Sequence, residues 1–177
     1  MKLNVVLFEP EIPQNTGNIM RSCVGFDAKL HLIKPYGFSL DEKHLKRAHL
    51  DYFKSLVYEE YESLDDFLTK NKGKFYILSR YGHQSPSIID FKQAQEDIYL
   101  IFGKESTGLP YNFIANHLAD TYRIPTTDKI RSLNLSNCVA IMLFLASSQL
   151  DNPNLIGHEP NSLKGEFFID KFKEEKC

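Results

Sequence analysis

Ile98-Tyr99-Leu100-Ile101-Phe102-Gly103-Lys104-Glu105-Ser106-Thr107-Gly108-Leu109-Pro110 carries the decisive pattern of this chain. The apolar run Ile98–Phe102 reads as a strand covered on both faces. A glycine-bounded loop follows, and Pro110 suits the first turn of a helix running toward His117. Strand, loop and helix with no hairpin return is the repeating step of a parallel sheet. The same alternation extends in both directions. Upstream, strands are expected at Leu3–Phe8, Leu30–Ile33, Leu56–Tyr58 and Phe75–Leu78, and downstream at Tyr122–Ile124. Ser39 stands three residues before Glu42, and Ser63 three before Asp66, both marking helix starts. A longer helix is expected from Ser136 to about Leu150, apolar on more than one face. Such a helix belongs to the centre of a core or to a subunit interface. The implied fold class is α/β, a parallel sheet with helices on both faces.

With 177 residues and 20.5 kDa, the chain has the length of one domain. Hydrophobic residues at 42% and charged residues at 25% exclude a disordered or low-complexity chain. The net charge of −2 announces no basic field for nucleic acid, although a local patch can hide in a neutral total. Cys23, Cys138 and Cys177 are too far apart for a CxxC pattern and read as reduced thiols. The N-terminus turns acidic at Glu9, too early for a signal peptide, and no apolar run reaches membrane-spanning length. A cytoplasmic protein without membrane association is expected. Residues 1–157 are expected to form the domain and 158–177 a C-terminal extension, loosely docked through Phe167, Phe168, Ile169 and Phe172.

Ligands of an open parallel sheet bind beyond the carboxyl ends of its strands. Three segments at such ends are rich in Gly, Asn, Ser and Pro. The first, Glu9-Pro10-Glu11-Ile12-Pro13-Gln14-Asn15-Thr16-Gly17-Asn18, leads into a helix. On its wheel Asn15, Asn18, Arg21 and Ser22 share one side, and Ile19, Met20, Cys23 and Val24 the other. The polar side is either a solvated face or a phosphate anchor built on Arg21. The second segment, Gly103–Pro110, is not a P-loop, because Leu109-Pro110 rather than Lys-Ser follows Gly108. Nor is it a nucleophile elbow, because Lys104 occupies the place of that motif's first glycine. It is either a plain loop or a turn that lets backbone approach a flat ligand while Glu105 sits at the strand end. The third segment, Ile124 to Asn137, opens the apolar helix. Asn134 or Ser136 is its N-cap. Capping alone does not explain Ser132, Asn134, Ser136 and Asn137 together. The six histidines show no HxxxH or HExxH spacing, so no metal site is expected. Lys43-His44-Leu45-Lys46-Arg47-Ala48-His49 is a basic run that, taken alone, reads as a solvated helix face.

In that order, the three segments resemble the three motifs of the SPOUT class of RNA methyltransferases. More closely, the chain resembles the small single-domain tRNA (cytidine/uridine-34) 2′-O-methyltransferases of the TrmL/YibK family, collinearly from Leu3 to about Leu150. Thr126 stands where many relatives carry Met, and the tail beyond Gly157 lies outside the likeness. The resemblance implies a C-terminal trefoil knot, which general topology rules alone would argue against. It also implies S-adenosyl-L-methionine bound bent in that knot, and a homodimer whose site borrows residues across the interface. Val139, Ile141, Met142, Phe144 and Leu145, with Met20 and Val24, are the apolar residues expected to supply that interface. By motif match Leu78, Ser79, Gly103, Ile124, Ser132 and Leu133 would bind the cofactor. Arg21 resembles the family's catalytic arginine, with Asn15, Glu105 and Ser136 ordering the site. The tRNA strip would consist of Arg21, Lys43, Lys46 and Arg47. A non-catalytic RNA- or nucleotide-binding module on the same scaffold is the alternative, since a fold does not fix a function.

Overall fold

In β1 (Leu3–Phe8) every residue is buried, as a strand covered on both faces requires. The computed structural model describes residues 1–38 and 51–173. Around β1 lie β2 (Lys29–Ile33), β3 (Tyr58–Tyr61), β4 (Lys74–Leu78), β5 (Ile98–Phe102) and β6 (Thr121–Tyr122). They form one sheet in the order β3-β2-β1-β5-β4-β6, with every neighbouring pair parallel. Its register sets Leu7 of β1 beside Leu32 of β2 on one side and Phe102 of β5 on the other.

The pleat sorts the core into two layers. Val5, Leu7, Leu30, Leu100 and Phe102 meet α1 (Pro13–Gly25) and α4 (Leu135–Ser147) on one face. Val6, Phe8, Ile33, Ile77 and Ile101 meet α2 (Leu64–Lys70) and α3 (Tyr111–Asn116) on the other. Adjacent strands β1 and β5 therefore send their following helices to opposite faces. That is a topological switch point, where an open sheet leaves a crevice beyond its strand ends.

Most expected elements recur, with shifted edges. Ser63 Oγ accepts from Asp66 N at 3.1 Å, starting α2. The expected start at Ser39–Glu42 lies outside the described residues. The third strand falls at Tyr58–Tyr61 instead of Leu56–Tyr58. Leu56 packs on the core just after a short helical turn and Val57 is exposed, so their apolar character marks an approach rather than a strand. The sixth strand stops at Tyr122, because Arg123 N donates to Gln84 O of a neighbouring loop at 2.8 Å and leaves the sheet. Within the chain Met20, Val139 and Met142 are core residues, leaving Ile141 (41% exposed) and Phe144 (66%) as the outward apolar face of α4. The tail also differs from expectation. Phe167, Ile169 and Phe172 are exposed, and anchor nothing in the described core. No described helix is long and apolar enough to cross a membrane.

One buried polar group sits under the α2 layer. His31 is 1% exposed, with Nδ1 2.8 Å from the Tyr61 hydroxyl and Nε2 3.1 Å from Asn4 Oδ1. Desolvation, then the charge of Lys29, lowers its pKa to about 4. The neutral imidazole is the folded form, so the unfolded chain binds more protons between the ordinary histidine value of 6.5 and about 4. Stability is complete above that window and falls as pH drops through it, by about 1 kcal/mol per pH unit between pH 6 and 5. Urea unfolding at stepped pH should show this slope, and His31→Asn should flatten it. An unchanged slope in the variant would refute the assignment.

Candidate active site

Glu105, just beyond β5, is the centre of the crevice. Its carboxylate accepts from Glu11 N (2.9 Å), Ile12 N (3.3 Å) and Asn15 Nδ2 (3.0 Å), all beyond β1. Ile12 is the N-cap residue of α1 and offers no capping side chain, while Pro13 removes one donor. Glu105 supplies the missing acceptor from another segment, and its charge favours the positive end of the helix. Asn15 is thereby 6% exposed, so the polar side of α1 is not a uniformly solvated face. Asn134 Nδ2 donates to Asn15 Oδ1 at 2.9 Å. Asn134 Oδ1 in turn caps α4 by accepting from Ser136 N (2.9 Å) and Ser136 Oγ (2.7 Å). Asn134 is therefore the N-cap, and Ser136 reaches the network through it.

Further bonds tie the same three segments together. Lys104 Nζ pairs with Glu9 Oε2 at 2.6 Å, and Ser106 N and Oγ donate to Glu11 at 2.9 and 2.8 Å. Arg131 donates to Ser106 O. Glu9 itself takes a left-handed φ of 46°, unfavourable for a residue with a Cβ. Its backbone N–H bond to Ile33 O at 2.9 Å and the Lys104 pair hold it there.

The segments enclose a cavity of about 320 Å³, within the range of small-molecule sites. Asn15, Leu78, Ser79, Gly103, Glu105, Ile124, Ser132 and Leu133 all line it. Phe102, Leu109, Ile114 and Leu135 add apolar wall. Gly103 borders the cavity, and its own loop already demands a glycine there. A Cβ there would overlap the backbone of Gly108 and Leu109, so glycine is needed for the loop to close on itself. Gly108 N donates to Lys104 O at 2.9 Å, and Gly108 takes φ +79°. Thr126 also lines the cavity, and its Oγ1 is the one buried side-chain polar atom without a partner among the described residues.

Two expected site residues lie elsewhere. Ser136 does not line the cavity. Arg21 is exposed on α1, with its guanidinium carbon 5.8 Å from the centre of the Tyr52 ring, and it too is absent from the cavity wall. Lys43, Lys46 and Arg47 lie outside the described residues. Arg80, Tyr81 and Arg123 line the cavity without having been singled out in the sequence. Their segments contain none of the glycine and asparagine clusters that mark the other loops. The usable signal was the Arg-Tyr-Gly step soon after the strand ending at Leu78.

Residues 2–144 match the model of the SpoU rRNA Methylase family. A relative from Listeria monocytogenes named "Putative tRNA (cytidine(34)-2'-O)-methyltransferase" is 48% identical over 162 residues, covering 91% of this chain and 95% of its own. The crystal structure of a "putative RNA methyltransferase" from Bacillus anthracis superposes with a TM-score of 0.83 at 46% identity, covering 86% of this chain and 97% of that one. A structure concerned with "the 2-OH methylation of C/U34 on tRNA" gives 0.75 at 37% identity, covering 84% and 90%.

Proposed function

This chain belongs to the SpoU rRNA methylase family, and we propose that it methylates the ribose 2′-hydroxyl of the wobble nucleotide of tRNA. The acceptor is position 34, C or modified U; the names of its relatives give cytidine 34 and C/U34. The observation that carries the reading is the interlocked crevice at the β1/β5 switch point, where Glu105, Asn15 and Asn134 join all three motif segments.

The crevice suits S-adenosyl-L-methionine as methyl donor. Its wall is apolar around Leu78, Ile124 and Leu133, with loop backbone at Gly103 and Gly108 and a buried hydroxyl at Thr126 that lacks a partner. Bound there, S-adenosyl-L-methionine supplies an electrophilic methyl group on a sulfonium centre. The chain supplies orientation and a dry wall. Leu78, Ser79, Gly103, Ile124, Ser132 and Leu133 hold the donor, while Asn15, Glu105 and Ser136 keep the loops in register. The Arg21 guanidinium offers only hydrogen-bond donors and no acceptor, so it does not take the 2′-hydroxyl proton. Its role is to pin a neighbouring phosphate and stabilise the developing alkoxide. Arg21, Lys43, Lys46 and Arg47 form the tRNA strip. The trefoil knot belongs to this reading, supported by the close packing of the chain at the end of β6 against the loop after β4, through the Arg123–Gln84 and Ser79–Tyr122 backbone bonds. Residues 1–157 form the catalytic unit and 158–177 an extension, in a cytoplasmic enzyme.

The decisive assay incubates the purified protein with S-adenosyl-L-methionine and tRNA and identifies the methylated nucleoside by mass spectrometry. A 2′-O-methyl group at position 34 is expected. A protein that binds RNA but neither binds S-adenosylhomocysteine nor transfers methyl groups would be the non-catalytic module instead.

The active unit is a homodimer. Ile141 and Phe144 present an apolar face of α4 that the subunit leaves uncovered, and α1 packs beside it. Phe144→Asp is therefore expected to convert a species of twice 20.5 kDa into monomer in sedimentation experiments. A monomeric wild type at micromolar concentration overturns this assignment.

A further inference from the structure

The cavity wall also carries Arg80, Tyr81, Arg123 and Arg131. None of these arginines forms an ion pair with a carboxylate among the described residues. On a chain of net charge −2, a concentration of unneutralised guanidinium groups on one cavity wall is a local exception. The Arg80 guanidinium carbon lies 4.6 Å from the centre of the Tyr81 ring, and Arg123 Nη1 donates to Arg80 O at 3.2 Å. Tyr81 meets Tyr111 edge-to-face, with centroids 5.6 Å apart. Tyr111, the first residue of α3, is 66% exposed and stands outside the cavity wall. A large aromatic ring held in place by a neighbour yet open to solvent is poorly explained by packing. Flat rings and cations side by side are what an unstacked nucleotide requires, the base taking the ring and the phosphates the guanidinium groups.

We propose that Arg80, Tyr81, Tyr111 and Arg123 form an RNA-contact rim that stacks a splayed-out base of a single-stranded loop and holds its flanking phosphates at the cavity mouth. The rim shares no residue with the proposed strip of Arg21, Lys43, Lys46 and Arg47, and this assignment rests on the reading of the chain as a tRNA methyltransferase. It places the RNA over the opening of the donor cavity, where a ribose hydroxyl has to arrive.

The test measures binding of an anticodon stem-loop RNA and, separately, of S-adenosylhomocysteine to the full chain over a series of salt concentrations. Tyr111→Ala should weaken RNA binding about tenfold, and Tyr111→Phe should restore it, because stacking needs the ring and not the hydroxyl. The double variant Arg80→Gln/Arg123→Gln should reduce the slope of log affinity against log salt by about 1 per arginine. S-adenosylhomocysteine affinity and melting temperature should stay at wild-type values in both Tyr111 variants, because Tyr111 stands outside the cavity wall. Unchanged RNA affinity and slope in variants of a wild type that methylates tRNA overturn the rim alone. Loss of S-adenosylhomocysteine binding in Tyr111→Ala also overturns it, assigning the cluster to the donor pocket. A wild type that binds neither probe overturns both the rim and the methyltransferase reading.

Discussion

Arg21→Ala is expected to lower methyl transfer by about 100- to 1,000-fold, the scale for removing one preorganised charge from a transition state. S-adenosylhomocysteine affinity should remain within about twofold, because Arg21 does not touch the cavity of its own subunit. Its side chain lies on the exposed face of α1 against Tyr52, whose hydroxyl donates to Gly17 O at 2.9 Å. Truncating it removes a surface charge and a loose cation–π contact, a small loss to the fold. For the proposed homodimer, whose sites would share residues across the interface, we assign the arginine to the partner's cavity. Mixed dimers of Arg21→Ala with a cavity variant should therefore recover activity that neither parent has, since one of the two sites is then complete. Single-turnover kinetics and calorimetry separate the two effects. Transfer near the wild-type rate, or loss of cofactor binding, contradicts the role given to Arg21.

Glu105→Ala is expected to abolish measurable S-adenosylhomocysteine binding, a loss of at least about 100-fold, and to destabilise the protein by about 2 kcal/mol. The carboxylate holds two backbone N–H groups and the Asn15 amide, and Asn15 in turn holds Asn134. Alanine leaves the start of α1 without an acceptor and frees the β5 loop from the β1 loop. For a chain of this size, a loss of about 2 kcal/mol corresponds to a fall in melting temperature of roughly 4–8 °C. Glu105→Gln keeps one oxygen acceptor and should show smaller losses in both measurements. Equal cofactor affinity in wild type and Glu105→Ala would show that the clamp does not shape the cavity.

The α/β class, the strands Leu3–Phe8 and Ile98–Phe102 and the Ser63 cap were legible because local pattern dictates them. Short β-branched and aromatic apolar runs bounded by breaks fit a strand covered on both faces, and a serine three residues before a helical N–H can cap it whatever the rest of the chain does. The three motif segments were legible for a similar reason, as glycine, proline and asparagine interrupt regular structure where they stand. What those segments do to one another was not legible. Glu105 and Glu11 are 94 residues apart, and only the β1/β5 pairing brings them within 2.9 Å. The same pairing decided that Asn15 is buried, and the meeting of the loops that Asn134, rather than Ser136, caps α4. Close approach within one loop explains the glycine at position 103, whose missing Cβ makes room for the backbone of Gly108. Arg80, Tyr81, Arg123 and Tyr111 come from two loops and the start of α3 and, apart from the Arg80-Tyr81-Gly82 step, carry no local signature, so only the fold reveals them as one surface. Sequence by itself determined where strands, helices and breaks occur, though not the edges of β3 and β6, since those preferences act over a few bonds. Tertiary structure alone decided which breaks meet, because a hydrogen bond between distant loops exists only once the sheet has set their strand ends side by side.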